Sequence, residues 1–299
     1  MPEDLLIEDA RAYNQAFIER LREDGPEKVA AQLTDYTRMK IREEAFCRPI
    51  LGSQPITPLE LDVTEKIDTP VKFVDKEPDS KAFTLTFMGK GDSRWFKGER
   101  YRIDFAHYES EHFKSNLATL ATYRAPIRQI LHDNYLLDVR EQEDRIFYDG
   151  INTIVNETGN IHASTSGFNI GSLVKAAKII ANKRLIPITI LMSSSSFEDL
   201  KTWPATQIGD QAASEVIING WKYDKIGGYN YVKTIKTDIV PDGELFMFTS
   251  PEYLGKHFVL NDVQVFFKQE GSDIEFWVWE DVGMGIGNVN GIAKMTWTP

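Results

Sequence analysis

The sequence predicts an α+β protein whose helices and strands lie in separate blocks. Three observations lead there. One uninterrupted stretch of about thirty residues carries apolar positions at helical spacing. Two blocks, residues 59–105 and the chain from 231 onward, alternate apolar and polar residues with period two. No internal repeat joins them.

The 299 residues suffice for one large or two ordinary domains. With 42% apolar and 26% charged residues the composition is globular. The longest apolar runs, such as Ile186-Pro-Ile-Thr-Ile-Leu-Met192, fall far short of a membrane span of about 18 residues. The start, Met1-Pro-Glu-Asp4, lacks a basic segment before an apolar one, so no secretory signal is expected. With one cysteine, Cys47, the expectation is no internal disulfide, no cysteine-based zinc site, and synthesis in a reducing compartment.

The net charge of −11 argues against a surface that grips nucleic acid throughout, because phosphate neutralisation needs an excess of Lys and Arg. The charge is uneven. From Asp238 onward there are ten acids and three lysines; residues 81–104 hold six bases and three acids; residues 169–190 hold four bases and no acid. Such patches permit self-association, although ordinary solvated faces would look the same.

Residues 4–24 read as a helix, with Leu5, Ala12, Phe17, Ile18 and Leu21 on one stripe, stopped by Gly25-Pro26. A second helix is predicted from residue 27 to about 46. Its apolar stripe is poor and its end is dense in charge (Arg38, Arg42, Glu43, Glu44, Arg48), after which Pro49, Gly52, Pro55 and Pro58 break regular structure. These first sixty residues have the character of an arm. From residue 59 alternation predicts strands at Leu59-Val63, Val71-Phe73, Phe83-Phe87 and Tyr101-Phe105. A polar, glycine-rich connection at 88–98 carries Trp95 and Phe96 near its tip. Two aromatic rings at a tip are costly in water, which points to a hairpin that overlaps a neighbour.

Residues 109–123 are predicted helical, with Phe113, Leu117 and Leu120 on one side. Pro126 suits the first turn of the next helix. There Ile127, Leu131, Tyr135, Val139, Phe147, Ile151 and Val155 recur at multiples of four, and Glu141 and Arg145 form a favourable i,i+4 pair. At about 1.5 Å per residue this is a rod of roughly 45 Å. Clean heptads are missing, so it is a spine across a domain and not a coiled coil. Further helices are expected at 171–185, 197–203 and 211–218, and strands at 187–192, 231–237, 245–249, 263–267, 274–279 and 292–297.

No catalytic constellation stands out. His107 and His112 are five apart, which is wrong for one helix face, and His132, His162 and His257 have no ligand-type neighbours at motif spacing. Cys47 has no nearby His and reads as a small buried residue. The glycines of Gly283-Met-Gly-Ile-Gly287 do not open a helix, so they read as a turn between terminal strands. Ser193-Ser-Ser-Ser196 reads as a helix cap, and Glu143 and Asp144 as a solvated pair. No catalytic residue, metal or cofactor is expected.

Several phrases, in their order along nearly the whole chain, resemble the tailed-phage major capsid proteins of the Hong Kong 97 fold. They are Arg38-Met-Lys-Ile-Arg-Glu-Glu-Ala-Phe-Cys-Arg48, Gly220-Trp with Ile226-Gly-Gly-Tyr229, Phe248-Thr-Ser-Pro-Glu-Tyr-Leu-Gly255 and Gly285-Ile-Gly-Asn288. The resemblance implies an N-terminal arm (1–58), an extended β-hairpin loop (59–108) and a peripheral domain with a spine helix (109–168). An axial domain (169–230) and terminal strands shared by both domains (231–299) would follow. It also implies self-assembly into hexamers and pentamers of an icosahedral shell around double-stranded DNA, held without sequence-specific binding or a membrane. The virion would form in the host bacterial cytoplasm.

Its partners would be other copies of itself, a separate scaffolding protein, a portal and, where present, a decoration protein. Intersubunit residues would be Arg94, Trp95, Phe96, Lys97, Arg100 and Arg102 on the loop, and Arg38, Arg42, Glu43, Glu44, Phe46 and Arg48 on the arm. The alternatives are an encapsulin-type nanocompartment shell, which shares the fold, a cytosolic α/β enzyme with an unrecognised site, and a tail tube or sheath subunit.

Overall fold

Near-continuous apolar runs, Ile190-Leu-Met192 and Leu245-Phe-Met-Phe248, build a sheet that is buried on both faces. The computed structural model describes residues 43–62, 70–78, 80–82, 84–91, 93, 95, 98–120, 127–165, 167–203, 206 and 225–298. Strands β5 (Ile161–Ser164), β6 (Pro187–Ser193), β7 (Lys225–Ile226), β8 (Tyr229–Thr234), β9 (Glu244–Thr249) and β12 (Ile292–Trp297) pair in the order β5-β12-β9-β6-β8-β7. On β9, Leu245 and Met247 point to one side and Phe246 and Phe248 to the other. On β6, Ile190 and Met192 oppose Leu191 in the same way. The period-two geometry of a strand forces that division.

Two helices cover the faces. Helix α4 (Ile170–Ala181) lays Leu173, Ala176, Ala177 and Ile180 on the first. It starts with a reciprocal cap: Asn169 Oδ1 accepts from the Ser172 amide at 2.8 Å while Ser172 Oγ accepts from the Asn169 amide at 3.1 Å. The second face meets the long helix α3 (Ile127–Thr158) through Phe147, Ile151 and Val155. The spine helix stands where its spacing predicts, and the Glu141–Arg145 pair forms at 3.5 Å. Helix α5 (Ser194–Glu198) is capped by Ser193 Oγ, as its serine run predicts.

The other sheet pairs β1 (Ser53–Pro55), β10 (Gly255–Glu270), β11 (Asp273–Ile286), β3 (Arg100–Glu109) and β2 (Val71–Asp75) in the order β1-β10-β11-β3-β2. Strand β4 (Phe113–Asn116) also pairs with β11. On β11, Ile274, Phe276, Val278, Glu280 and Val282 are buried, and the alternate residues are half-exposed. Tyr135 of α3 and Leu117 pack on Ile274 and Phe276. The N-terminal half of the spine therefore lies on one sheet and its C-terminal half on the other.

Several elements differ from their sequence-based expectation. Of the helix expected at 109–123, residues 121–123 lie outside the described residues; over 109–120, β3 runs to Glu109, β4 follows, and α2 (Leu117–Leu120) is helical. Pairing of β4 with Asp273–Phe276 overrides a weak helical pattern. Pro58–Glu60 is a 3-10 turn instead of a strand, and residues 84–87 form no strand. Pro49 does not break structure; it lies in the first turn of α1 (Cys47–Leu51), where its missing N–H costs nothing. Residues 43–45 precede that helix without being helical.

Gly283 and Gly285 are strand residues of β11, not a turn. A Cβ on Gly285 would stand 2.7 Å from Ile103 Cγ1, and one on Gly255 2.3 Å from the Gly285 carbonyl oxygen, so close packing of β3, β10 and β11 requires glycine. Expected helices at 4–24, the bulk of 27–46, and 211–218 lie outside the described residues, as does Val63.

Candidate functional site

Two regions are unusual. One is a buried polar junction where chain segments far apart in sequence meet. The other is an apolar loop tip left in water.

The junction forms around the spine. Its stripe of every fourth residue, Val139, Phe147, Ile151 and Val155, has Glu143 at the missing step, and Glu143 and its neighbour Asp144 are fully buried. The expectation of a solvated pair is therefore wrong. Burying a carboxylate is costly unless it is paired and hydrogen-bonded, and α1 and Lys236 supply the partners. Arg48 grips Glu143 twice, Nη2 to Oε1 at 2.6 Å and Nε to Oε2 at 3.0 Å, and reaches Glu280 Oε2 on β11 at 2.9 Å. The Cys47 amide donates to Asp144 Oδ1 at 2.9 Å, and Lys236 Nζ donates to Asp144 Oδ2 at 2.5 Å.

His257 on β10 is also fully buried. Its Nδ1 lies 2.8 Å from Ser53 Oγ, and its Nε2 is 3.8 Å from Glu143 Oε2 with no hydrogen-bond partner. Cys47 Sγ donates to Glu143 Oε2 at 3.6 Å. The sequence shows no histidine near Cys47; the fold brings one there.

These environments set the protonation states. Burial raises Glu280 to about 8, and the adjoining Glu143 carboxylate adds to it. Burial acts on Glu143 too, but the Arg48 guanidinium outweighs it and holds Glu143 below the usual range. Glu143 thus keeps its charge while Glu280 takes a proton more readily. Burial lowers His257 to about 4, leaving a neutral imidazole, and raises the Cys47 thiol.

The predicted arm residues divide as follows. Glu43 Oε2 accepts from Thr234 Oγ1 at 2.8 Å and from the Ile235 amide at 3.0 Å; Glu44 pairs with Arg140. Phe46 is buried against Phe147, with ring centroids 6.3 Å apart. Together with Arg48, these residues bind the arm's end to α3, β8 and β11 of the same chain. Arg38 and Arg42 lie outside the described residues.

On the loop, β2 and β3 pair from Val71↔Asp104 to Asp75↔Arg100, and the Lys76 amide donates to the Glu99 carbonyl at 2.8 Å. Beyond that, Leu85, Phe87, Met88 and Trp95 are exposed, Phe87 and Trp95 fully. Arg100 pairs with Asp75 at 2.6 Å and Arg102 with Asp104, both on the hairpin itself. Arg94, Phe96 and Lys97 are outside the described residues. On the outer face of β11, Trp277 stacks on His112 with centroids 4.4 Å apart, and His112 sits between Glu109 (3.0 Å) and Glu275 (3.1 Å).

No helix among the described residues is long and apolar enough to cross a membrane. No family model matches the sequence, and no curated protein does. Solved structures do match. A capsid chain of a native GTA particle superposes with TM-score 0.63 at 12% identity over 94% of this chain and 99% of that one. A chain from Mycobacterium phage Cain gives 0.63 at 11% identity, covering 93% and 98%. A capsid chain of cyanophage P-SCSP1u gives 0.61 at 8%, covering 91% and 94%. Coverage this complete at identities this low reports architecture. The chain has the capsid fold of these particles, the Hong Kong 97-type architecture.

Proposed function

We propose that the chain is the major capsid protein of a phage or GTA head, a structural subunit that assembles with its own copies into hexamers and pentamers of an icosahedral shell enclosing DNA. The observation that carries this reading is the loop tip. Leu85, Phe87, Met88 and Trp95 lie beyond the paired part of the β2–β3 hairpin, where no described residue of the same chain covers them. Exposed apolar clusters of this kind mark interaction sites. A neighbouring copy is the natural cover in a closed assembly, where each subunit presents the same loop and the same acceptor.

The arm before residue 43 is a second overlap onto neighbours, anchored at its root by Glu43, Glu44, Phe46 and Arg48. Basic loop residues Arg94, Lys97, Arg100 and Arg102 set register against acidic surface of the next subunit; exposed pairs of this kind contribute only about 0–1 kcal/mol each. A separate scaffolding protein and a portal complete the set of partners. No catalytic residue belongs to this function.

The test is light scattering and negative-stain electron microscopy of the purified chain, alone and with scaffolding protein. Shells, or rings that close into shells, are expected. A chain that remains a monomer or dimer in both conditions would overturn the reading.

A further inference from the structure

The shell function leaves part of the buried junction unexplained. A fully buried imidazole nitrogen without a partner is an unfavourable feature to keep. His257 Nε2 is one, and it is aimed at Glu143 Oε2, 3.8 Å away. Cys47 Sγ is 3.6 Å from the same oxygen, and the three ligand atoms all lie within 4.8 Å of one another. They come from α1, α3 and β10, so nothing in the local sequence of any one of them reveals the group.

We propose that Cys47 Sγ, Glu143 Oε2 and His257 Nε2 bind one divalent transition-metal ion, zinc, as a structural clamp between the arm's root, the spine helix and the β10–β11 sheet. Zinc sits about 2.3 Å from sulfur and about 2.0–2.2 Å from nitrogen or oxygen, so ligand atoms around a tetrahedral ion stand about 3–4 Å apart. The observed separations need only a slight contraction. Ser53 Oγ on His257 Nδ1 fixes the ring and turns Nε2 inward, the supporting contact that ligand histidines usually have. Arg48 orients Glu143 from the other side.

A thiolate and an imidazole select zinc over magnesium or calcium. Binding replaces the thiol proton, which leaves to solvent. The thiolate and Glu143 then carry two negative charges that offset the two positive charges of the ion. One cysteine is enough because the other donors are not sulfur.

The test uses the full chain. Metal content of protein purified without chelator is measured by inductively coupled plasma mass spectrometry, with about one zinc per chain expected. The protein is also unfolded with chelator and refolded with cobalt(II). A thiolate-to-cobalt charge-transfer band in the near ultraviolet is expected, and Cys47→Ser should abolish it. His257→Gln should weaken cobalt binding at least about tenfold, while His162→Gln should leave both band and affinity unchanged. A folded chain that holds no zinc as purified and gives no thiolate band with cobalt overturns the proposal. So does a band that survives Cys47→Ser. If refolding fails, zinc content as purified decides.

Discussion

Arg48 and Glu143 meet in a two-point contact, Nη2 to Oε1 at 2.6 Å and Nε to Oε2 at 3.0 Å, with the carboxylate fully buried and the arginine side chain partly so. Two parallel N–H···O bonds of this kind give geometric definition as well as attraction. Arg48 belongs to the anchored part of the arm, and Glu143 is at the middle of the spine. The contact therefore fixes where the arm leaves the body of the subunit.

Arg48→Met should strongly destabilise the subunit. It would leave Glu143 and Glu280 buried beside each other with no counter-charge, and removing one partner of such a pair costs about 3–5 kcal/mol. Urea unfolding of the unassembled chain measures it. A loss below about 1 kcal/mol would mean that the junction opens to water when Arg48 is absent.

Phe87→Ser together with Trp95→Ser should leave subunit stability within about 0.5 kcal/mol of the parent, because both rings are fully exposed. Shell yield should fall sharply. Sedimentation of assembly reactions reads the yield, and thermal unfolding of the same preparations reads the stability. Normal shells from the double variant would sink the assignment of the loop as an overlap. The same pair of readings on Trp95→Ser with Phe96→Ser extends the test to both aromatic residues of the predicted tip.

Gly255→Ala should destabilise by about 1–3 kcal/mol, the usual cost of forcing atoms into a packed core. Its φ is extended, so the backbone conformation is open to any residue. The obstacle is space: the new Cβ would sit 2.3 Å from the Gly285 carbonyl oxygen on the paired strand. Gly150→Ala offers the contrast. A Cβ there would meet no described atom within 4 Å beyond the backbone of its own helix and its chain neighbours, and Ala favours helix, so the variant should be neutral or more stable by chemical denaturation.

His112 should titrate above its ordinary value near 6.5. Its hydrogen bonds to Glu275 and then Glu109 raise it, against a small opposing effect of burial. A folded-state value above the unfolded one stabilises the fold fully below the unfolded value, and that contribution is lost as pH rises through the folded value. Nuclear magnetic resonance titration of the ring protons checks it. Glu275→Gln should move the midpoint down; an unchanged midpoint would show that the contact is not held in solution.

Legibility in the sequence followed the length and redundancy of each pattern. The spine helix spans many turns, and the serine run from Ser193 announces its cap by position. The helix expected from residue 109 gave way to strand at Phe113–Asn116 because its few apolar residues fit a strand equally well, and β11 was available to pair with them. The glycines at 283 and 285 were visible, but their purpose was not: the side chain of Ile103 that requires them comes from a distant strand.

The junction had one signal, the gap at Glu143 in a stripe of every fourth residue. A charged residue at an apolar step of an otherwise regular stripe predicts either a break in burial or a buried ion pair. Only a partner decides between them.

The sequence by itself determined the class, the spine, the projecting hairpin and the division of both sheets into faces, because these depend on periodicities of a few residues. Tertiary structure alone decided that Cys47, Arg48, Glu143, His257 and Glu280 share one buried pocket. Side chains from α1, α3, β10 and β11 are brought within hydrogen-bond reach by the packing of whole elements, and no local spacing encodes that distance.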